Sequence, residues 1–99
     1  MKHFIVEATY LAPLEKIREV TPKHRAWLQR GYDAALFLYS GPQEPPVGGF
    51  LVARAKSKSD LETMFEDEPF QAGKLASYTF REFYPVKRQP WTEDWFNRE

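Results

Sequence analysis

The order of apolar and polar positions predicts four β-strands. His3 to Tyr10 and Leu36 to Ser40 mix β-branched and aromatic residues without a helical period, and Gly41-Pro42 closes the second of these runs. A Pro/Gly-rich connection leads to a third run, Gly48 to Ala55, and Tyr78 to Pro85 gives a fourth. We therefore expect a small sheet.

The first predicted helix begins at Thr21-Pro22. Threonine is a favoured N-cap, and proline suits the first helical position because its missing N–H would have no partner there. This helix runs to Ala34 or Ala35, and Leu14 to Val20 before it can form a short helical turn.

The second predicted helix begins at Ser59-Asp60-Leu61-Glu62, which has the S-x-x-E form of a capping box, and it ends near Glu68-Pro69. The order of elements is then β-α-β-β-α-β. We expect an α+β fold of ferredoxin-like type, with two helices on one face of an antiparallel sheet.

The predicted strands are apolar on both faces. In the third strand, Phe50 and Val52 oppose Leu51 and Ala53. Strands of this kind are buried on both faces, but the two helices can cover only one. A second copy of the chain is the commonest way to cover the other face, so we expect a homodimer.

The chain length of 99 residues predicts one domain. We place the domain at residues 1–87 and a C-terminal tail at 88–99. The tail carries Trp91, Trp95 and Phe96, which are too apolar to lie in solvent. We expect the tail to pack on the domain or on the partner subunit.

Charge and composition exclude several classes of partner. The formal net charge is zero, which gives no basic excess for binding nucleic acid. The chain has no cysteine, and its two histidines lie on separate predicted elements, so no metal site is expected. It has no apolar run long enough to span a membrane and no signal-like start, so the prediction is a cytoplasmic protein without a membrane partner.

His24 is the first candidate for chemistry. In the predicted helix it lies in the opening turn, where the helix dipole disfavours the imidazolium and leaves a neutral ring that can act as a base. A histidine that only caps or packs is the alternative, and it is the more frequent case. Asp33 lies nine residues further on and should face away from His24.

Two further sites carry weaker signals. Ser40-Gly41-Pro42 allows a close approach of the backbone to a ligand, but it serves a turn equally well. Asp67 and Glu68 fall at a predicted helix end, where the dipole is unfavourable to a carboxylate and favours a cationic partner such as a histidine. A solvated helix terminus is the simpler interpretation.

Motifs along the chain resemble those of the YciI-like (YCII-related) family. In order, they are Pro22-Lys23-His24 with Trp27 and Leu28, Ser40-Gly41-Pro42, Gly48-Gly49-Phe50, and Glu68-Pro69-Phe70-Gln71-Ala72-Gly73. The similarity covers residues 2–87 and rests on the order and spacing of the motifs together. It implies a dimeric α+β barrel, similar in fold to muconolactone isomerase and to small cofactor-independent monooxygenases.

The resemblance also implies an active site. In that family a histidine paired with an aspartate is the suggested site, and dehydrochlorination of a chlorinated aromatic is one activity linked to it. The histidine corresponds to His24, whereas the aspartate of the D-P-F motif is replaced by Glu68, which is one methylene longer. Asp67 is the alternative partner. The residues expected to bind substrate are Ser40, Gly41, Pro42 and Phe70.

We therefore expect a small enzyme of lyase or isomerase type, without a cofactor. His24 would act as general base on a small aromatic or enol-like substrate, and Glu68 would orient it. The alternative is a non-catalytic ligand-binding or accessory module of the same fold. Haem degradation, a third possibility, has no support beyond the fold.

Overall fold

The sheet is antiparallel and four-stranded; the helices that precede the tail pack on one face, and the short helix in the tail lies on the other. The computed structural model describes residues 1–98. The strands are β1 (Lys2–Tyr10), β2 (Phe37–Pro42), β3 (Gly48–Ala55) and β4 (Ala76–Phe83), and the helices are α1 (Leu14–Asp33), α2 (Lys58–Met64), α3 (Pro69–Ala72) and α4 (Glu93–Asn97). The strand order is β2-β3-β1-β4. The predicted α+β, ferredoxin-like fold is confirmed.

Helix α1 begins earlier than predicted. It runs unbroken from Leu14, so Thr21 is not its N-cap and Pro22 lies inside it. The Thr21 hydroxyl instead donates to the carbonyl of Ile17 at 2.8 Å, as threonine often does within a helix. Ile17 before the proline and Trp27 after it are both buried. Their burial on the core offsets the cost of an internal proline, which is why the local signal misplaced the helix start.

The second helical region also differs from its prediction. The N-cap of α2 is Ser57, whose hydroxyl accepts from the Asp60 N–H at 3.0 Å, and not Ser59. The helix ends at Met64 and a 3₁₀ turn follows over Phe65–Asp67. Glu68 then caps the start of α3. The segment predicted to end a helix therefore begins a new one.

The core lies between the sheet and the helices. Its buried members include Phe4, Val6, Trp27, Phe37, Leu51, Ala53, Leu61, Phe65 and Phe80. The Phe65 ring is at its centre, with centroids of Trp27 and Phe80 at 4.8 and 5.1 Å. Helix α1 lies so close to β2 that a Cβ at Gly31 would overlap the Phe37 ring. This close packing fixes the position of α1 against the sheet, and therefore which face of the helix lines the cleft described below.

The outer face of the sheet carries the end of the chain. Trp95 and Phe96 lie against the His3 ring, with centroid distances of 5.6 and 5.0 Å. Arg54, which pairs with His3 across the strands, is only 2% exposed. Its guanidinium donates to the carbonyl oxygens of Ala35 (2.7 Å), Trp95 (3.3 Å) and Arg98. The tail thus packs on the sheet of its own chain.

Residues 1–98 leave part of the outer face of the sheet without a covering layer. Tyr39 on β2, Phe50 on β3 and Phe83 on β4 are 63%, 49% and 39% exposed. Trp91 in the tail is also exposed, at 78%. Apolar side chains therefore remain in solvent on both the sheet and the tail.

Candidate active site

A cleft of about 610 Å³ opens between α1 and the sheet. The floor is formed by residues of β1 and β3, among them Val6 and Leu51. One side is the stripe of α1 that includes Thr21 and His24. This volume lies within the range of about 300–1,000 Å³ that is usual for small-molecule sites.

His24 and Glu68 meet behind this cleft. His24 lies in the middle of α1, not in its first turn, and its Nδ1 is 2.5 Å from Oε1 of Glu68. The Glu68 side chain is completely buried. Its Oε1 also accepts from the N–H of Phe70 at 3.1 Å, and Oε2 accepts from the N–H of Gln71 at 3.0 Å. The carboxylate is therefore both the cap of α3 and the partner of the histidine.

These contacts keep the Glu68 carboxylate ionised. Burial raises its pKa, but the hydrogen bonds from His24 and the Phe70 N–H, together with the nearby Tyr78 hydroxyl, hold the pKa below its usual value. An ionised carboxylate can only accept hydrogen bonds, so Nδ1 of His24 carries the proton and donates it. In the neutral ring, this tautomer has its lone pair on Nε2, which makes no hydrogen bond with residues 1–98.

Phe70 fixes the plane of the imidazole. Its ring is stacked on His24 with a centroid distance of 4.1 Å and an angle of 14° between the planes. Phe70 is itself 3% exposed and lies against Tyr10 edge to face. Glu68 holds one edge of the imidazole and Phe70 covers one face, so the orientation of Nε2 is set by the protein.

The other predicted residues fall in two groups. The cleft is lined by Ser40, Gly41 and Pro42. They are part of strand β2, whereas Gly41-Pro42 was predicted to lie after the strand. The Ser40 hydroxyl is 2.7 Å from that of Tyr32. Asp67, the alternative partner of the histidine, instead accepts from the indole N–H of Trp27 at 2.9 Å.

The sequence did not single out Tyr78. It lies on β4 and lines the cleft, and its hydroxyl is buried near Glu68 without reaching hydrogen-bond geometry with residues 1–98. Burial, with the charge of Glu68, raises the pKa of Tyr78, so the hydroxyl stays protonated. Its place in the strand pattern marks it only as a core residue, and no local signal separates it from Phe80.

The cleft is also lined by Arg18 and Arg25, which no motif in the sequence marks as site residues. Arg18 fell in the segment assigned to a turn, so its position on the α1 face could not be predicted. Within residues 1–98, no group of three or more side chains of the metal-binding types comes together. No helix in the same range is long and apolar enough to cross a bilayer.

The topology and the cleft define a small α+β protein of ferredoxin-like type with a histidine–carboxylate pair. The YCII-related domain matches residues 1–84, so the chain belongs to the YCII-related family. Among solved structures, it is similar to the 5-chloro-2-hydroxyhydroquinone dehydrochlorinase TftG from Burkholderia phenoliruptrix, in complex with 2,5-dihydroxybenzoquinone. The TM-score is 0.71 at 18% identity, over 83% of this chain and 93% of that one, which establishes the shared fold. None of the curated proteins compared with the chain matches it.

Proposed function

We propose that this protein is a small cofactor-independent enzyme of lyase or isomerase type, acting on a small aromatic or enol-like substrate. His24 is the general base and Glu68 orients it. Ser40, Gly41, Pro42 and Phe70 contact the substrate. The substrate enters the 610 Å³ cleft with its acidic hydrogen directed at Nε2 of His24.

The observation that carries the proposal is the 2.5 Å contact between His24 and Glu68. It supports the tautomer with the proton on Nδ1, whose neutral form has a lone pair on Nε2, and a histidine base requires this arrangement. When Nε2 takes a proton from the substrate, the imidazolium forms against an ionised and fully buried carboxylate. That charge pair stabilises the state in which the substrate has lost its proton.

A ligand-binding module without catalysis is the second candidate, and one observation favours it. Both oxygens of Glu68 accept N–H groups at the start of α3. The carboxylate therefore has a structural task that would keep it in place without any chemistry at His24.

We also propose that the protein is a homodimer, built through the uncovered part of the outer sheet face. Its support is the exposure of Tyr39, Phe50 and Phe83 on that face. Stable interfaces bury about 1,200–2,000 Å² in total, so the proposed interface should bury an area in this range. Light scattering at micromolar concentration should report twice the chain mass of 11.7 kDa, and a monomer would contradict this proposal.

Hydrogen exchange on a probe separates the two candidate functions. 2,5-Dihydroxybenzoquinone, the ligand bound to TftG, has ring C–H groups whose exchange in D₂O can be followed by proton NMR. The wild-type protein should accelerate this exchange, and His24→Gln should lower the acceleration by about 10²–10⁴-fold. Chloride release from 5-chloro-2-hydroxyhydroquinone provides a second readout. Lys23→Gln, next to His24 but outside the cleft, is the control.

Two outcomes would overturn the enzyme proposal. One is exchange in the His24→Gln variant as fast as in the wild type, since the base would then lie elsewhere. The other is tight binding of the probe without accelerated exchange and without chloride release, which would support the ligand-binding module.

A further inference from the structure

The polar groups along the cleft side of α1 include two cations. Arg18 and Arg25 are seven residues apart, close to two helical turns, so they project from nearly the same side of the helix about 10 Å apart. Both line the cleft. Arg25 and His24 both line the cleft, and Arg18 lines it about two turns closer to the N-terminal end of the helix.

Neither arginine is neutralised within residues 1–98. Neither forms an ion pair or a side-chain hydrogen bond there, whereas Arg30 and Arg88 pair with Asp67 and Glu93. The acidic residue that lines the cleft is Glu44, in the connection between β2 and β3, and it does not pair with either arginine. Excluding the histidine, the charged side chains of the lining therefore carry a net positive charge of one.

We infer that the cleft selects an anionic substrate, whose carboxylate or ionised ring oxygen is bound by Arg25 with Arg18 as the second cation. This inference rests on the proposed function, because it names the class of substrate that reaches His24. Guanidinium groups match carboxylate and oxyanion geometry with paired N–H donors. The Ser40 hydroxyl, which also lines the cleft, can donate a hydrogen bond to the same oxygens.

The positions of His24 and Arg25 also explain why an anionic substrate suits proton removal by His24. Removing a proton with His24 leaves negative charge on the substrate, and the neighbouring Arg25 lies on the same side of the cleft. A substrate held by its anionic group presents its remaining carbon framework to the apolar floor around Val6 and Leu51. The cations thus supply both attraction from solution and orientation in the cleft.

Calorimetric titration with matched probes tests the inference. The first pair is 2,5-dihydroxybenzoate and its neutral isostere 2,5-dihydroxybenzamide, which reports on a carboxylate. 2,5-Dihydroxybenzoquinone, which is ionised near neutral pH, reports on a ring oxyanion. At low salt the benzoate should bind at least about tenfold more tightly than the amide, and raising the salt concentration should reduce this preference.

The variants locate the effect on the helix. Arg18→Gln combined with Arg25→Gln should abolish the preference for the anion while leaving the binding of the amide unchanged. The control combines Lys16→Gln with Lys23→Gln, two exposed cations with the same seven-residue spacing on the opposite side of α1. It removes the same charge and should keep the preference.

Three outcomes would overturn the inference: equal binding of the benzoate and the amide, a preference that survives in the double arginine variant, or no binding of any of the three probes. These outcomes differ from a failure of the proposed function. His24→Gln should keep the preference for the anion, because it binds no part of the anionic group. If another residue were the base, the hydrogen-exchange result would change, whereas the calorimetric preference for the anion would not.

Discussion

Replacing Glu68 with glutamine tests the centre of the site most directly. Glutamine keeps the size of the side chain but has one acceptor oxygen in place of two. If its oxygen continues to serve His24 and Phe70, its NH₂ group faces the N–H of Gln71, which is now 3.0 Å from Oε2. A buried donor left without a partner costs about 1–3 kcal/mol, and the loss of charge from the His24 bond adds about 1 kcal/mol.

We therefore expect Glu68→Gln to lower the free energy of unfolding by about 2–4 kcal/mol. For a domain of this size that is a fall of about 10–25 °C in the melting temperature. Urea denaturation and a thermal scan measure both quantities. Glu66→Gln is the control, because Glu66 is an exposed carboxylate and its replacement should change stability by less than about 0.5 kcal/mol.

The pH dependence gives an independent check. The pKa of Glu68 is lower in the folded protein than its ordinary value of 4.5, so the stability it contributes is present above pH 4.5 and is lost as pH falls through the folded-state pKa. Glu68→Gln should lack this component of the acid denaturation. A variant as stable as the wild type, with an unchanged acid transition, would refute the assignment of Glu68 as a buried, ionised partner of His24.

Three other changes follow from the packing and the outer face. Gly31→Ala should cost about 1–3 kcal/mol in urea denaturation, because the added methyl overlaps the Phe37 ring, and an unchanged midpoint would contradict the close approach. Burial by the tail lowers the pKa of His3 from 6.5, so the unfolded chain binds a proton first and the folded protein loses stability between pH 7 and 5. Ending the chain before Gln89 should therefore lower the melting temperature and abolish this pH-dependent loss. Tyr78→Phe should change stability by less than about 1 kcal/mol, because its hydroxyl has no partner within residues 1–98, and a larger loss would mean that it bonds to Glu68 in solution.

The fold was predictable because a run of β-branched and aromatic residues without a helical period is a property of each strand separately. The bounds of β3 agree with the prediction, since Gly48 and Ala55 mark real changes in the pattern. The start of α1 was not predictable from local signals. Thr21-Pro22 has the residues of an N-cap, but the burial of Ile17 on the preceding turn decides the conformation, and that contact exists only in the folded chain.

The candidate site was predictable in its residues but not in its geometry. Resemblance to a known family indicated His24 and Glu68, whereas the dipole argument for each relied on helix ends that lie elsewhere. Glu68 was expected at an unfavourable helix end and is found as the cap of α3, where its charge is favoured. Arg18 and Tyr78 depended on tertiary placement and had no signal of their own.

The two groups that orient His24 lie two residues apart in the chain. Glu68, the N-cap of α3, binds the edge of the ring, and Phe70, in the first turn of α3, covers its face. The candidate site is thus divided between a histidine on a long helix and a short segment. Grafting four residues from a relative, at positions 68–71, would transfer the whole orienting environment while the arginine-bearing wall of the cleft stayed unchanged. The environment of the histidine and the charge of the cleft wall can therefore change independently.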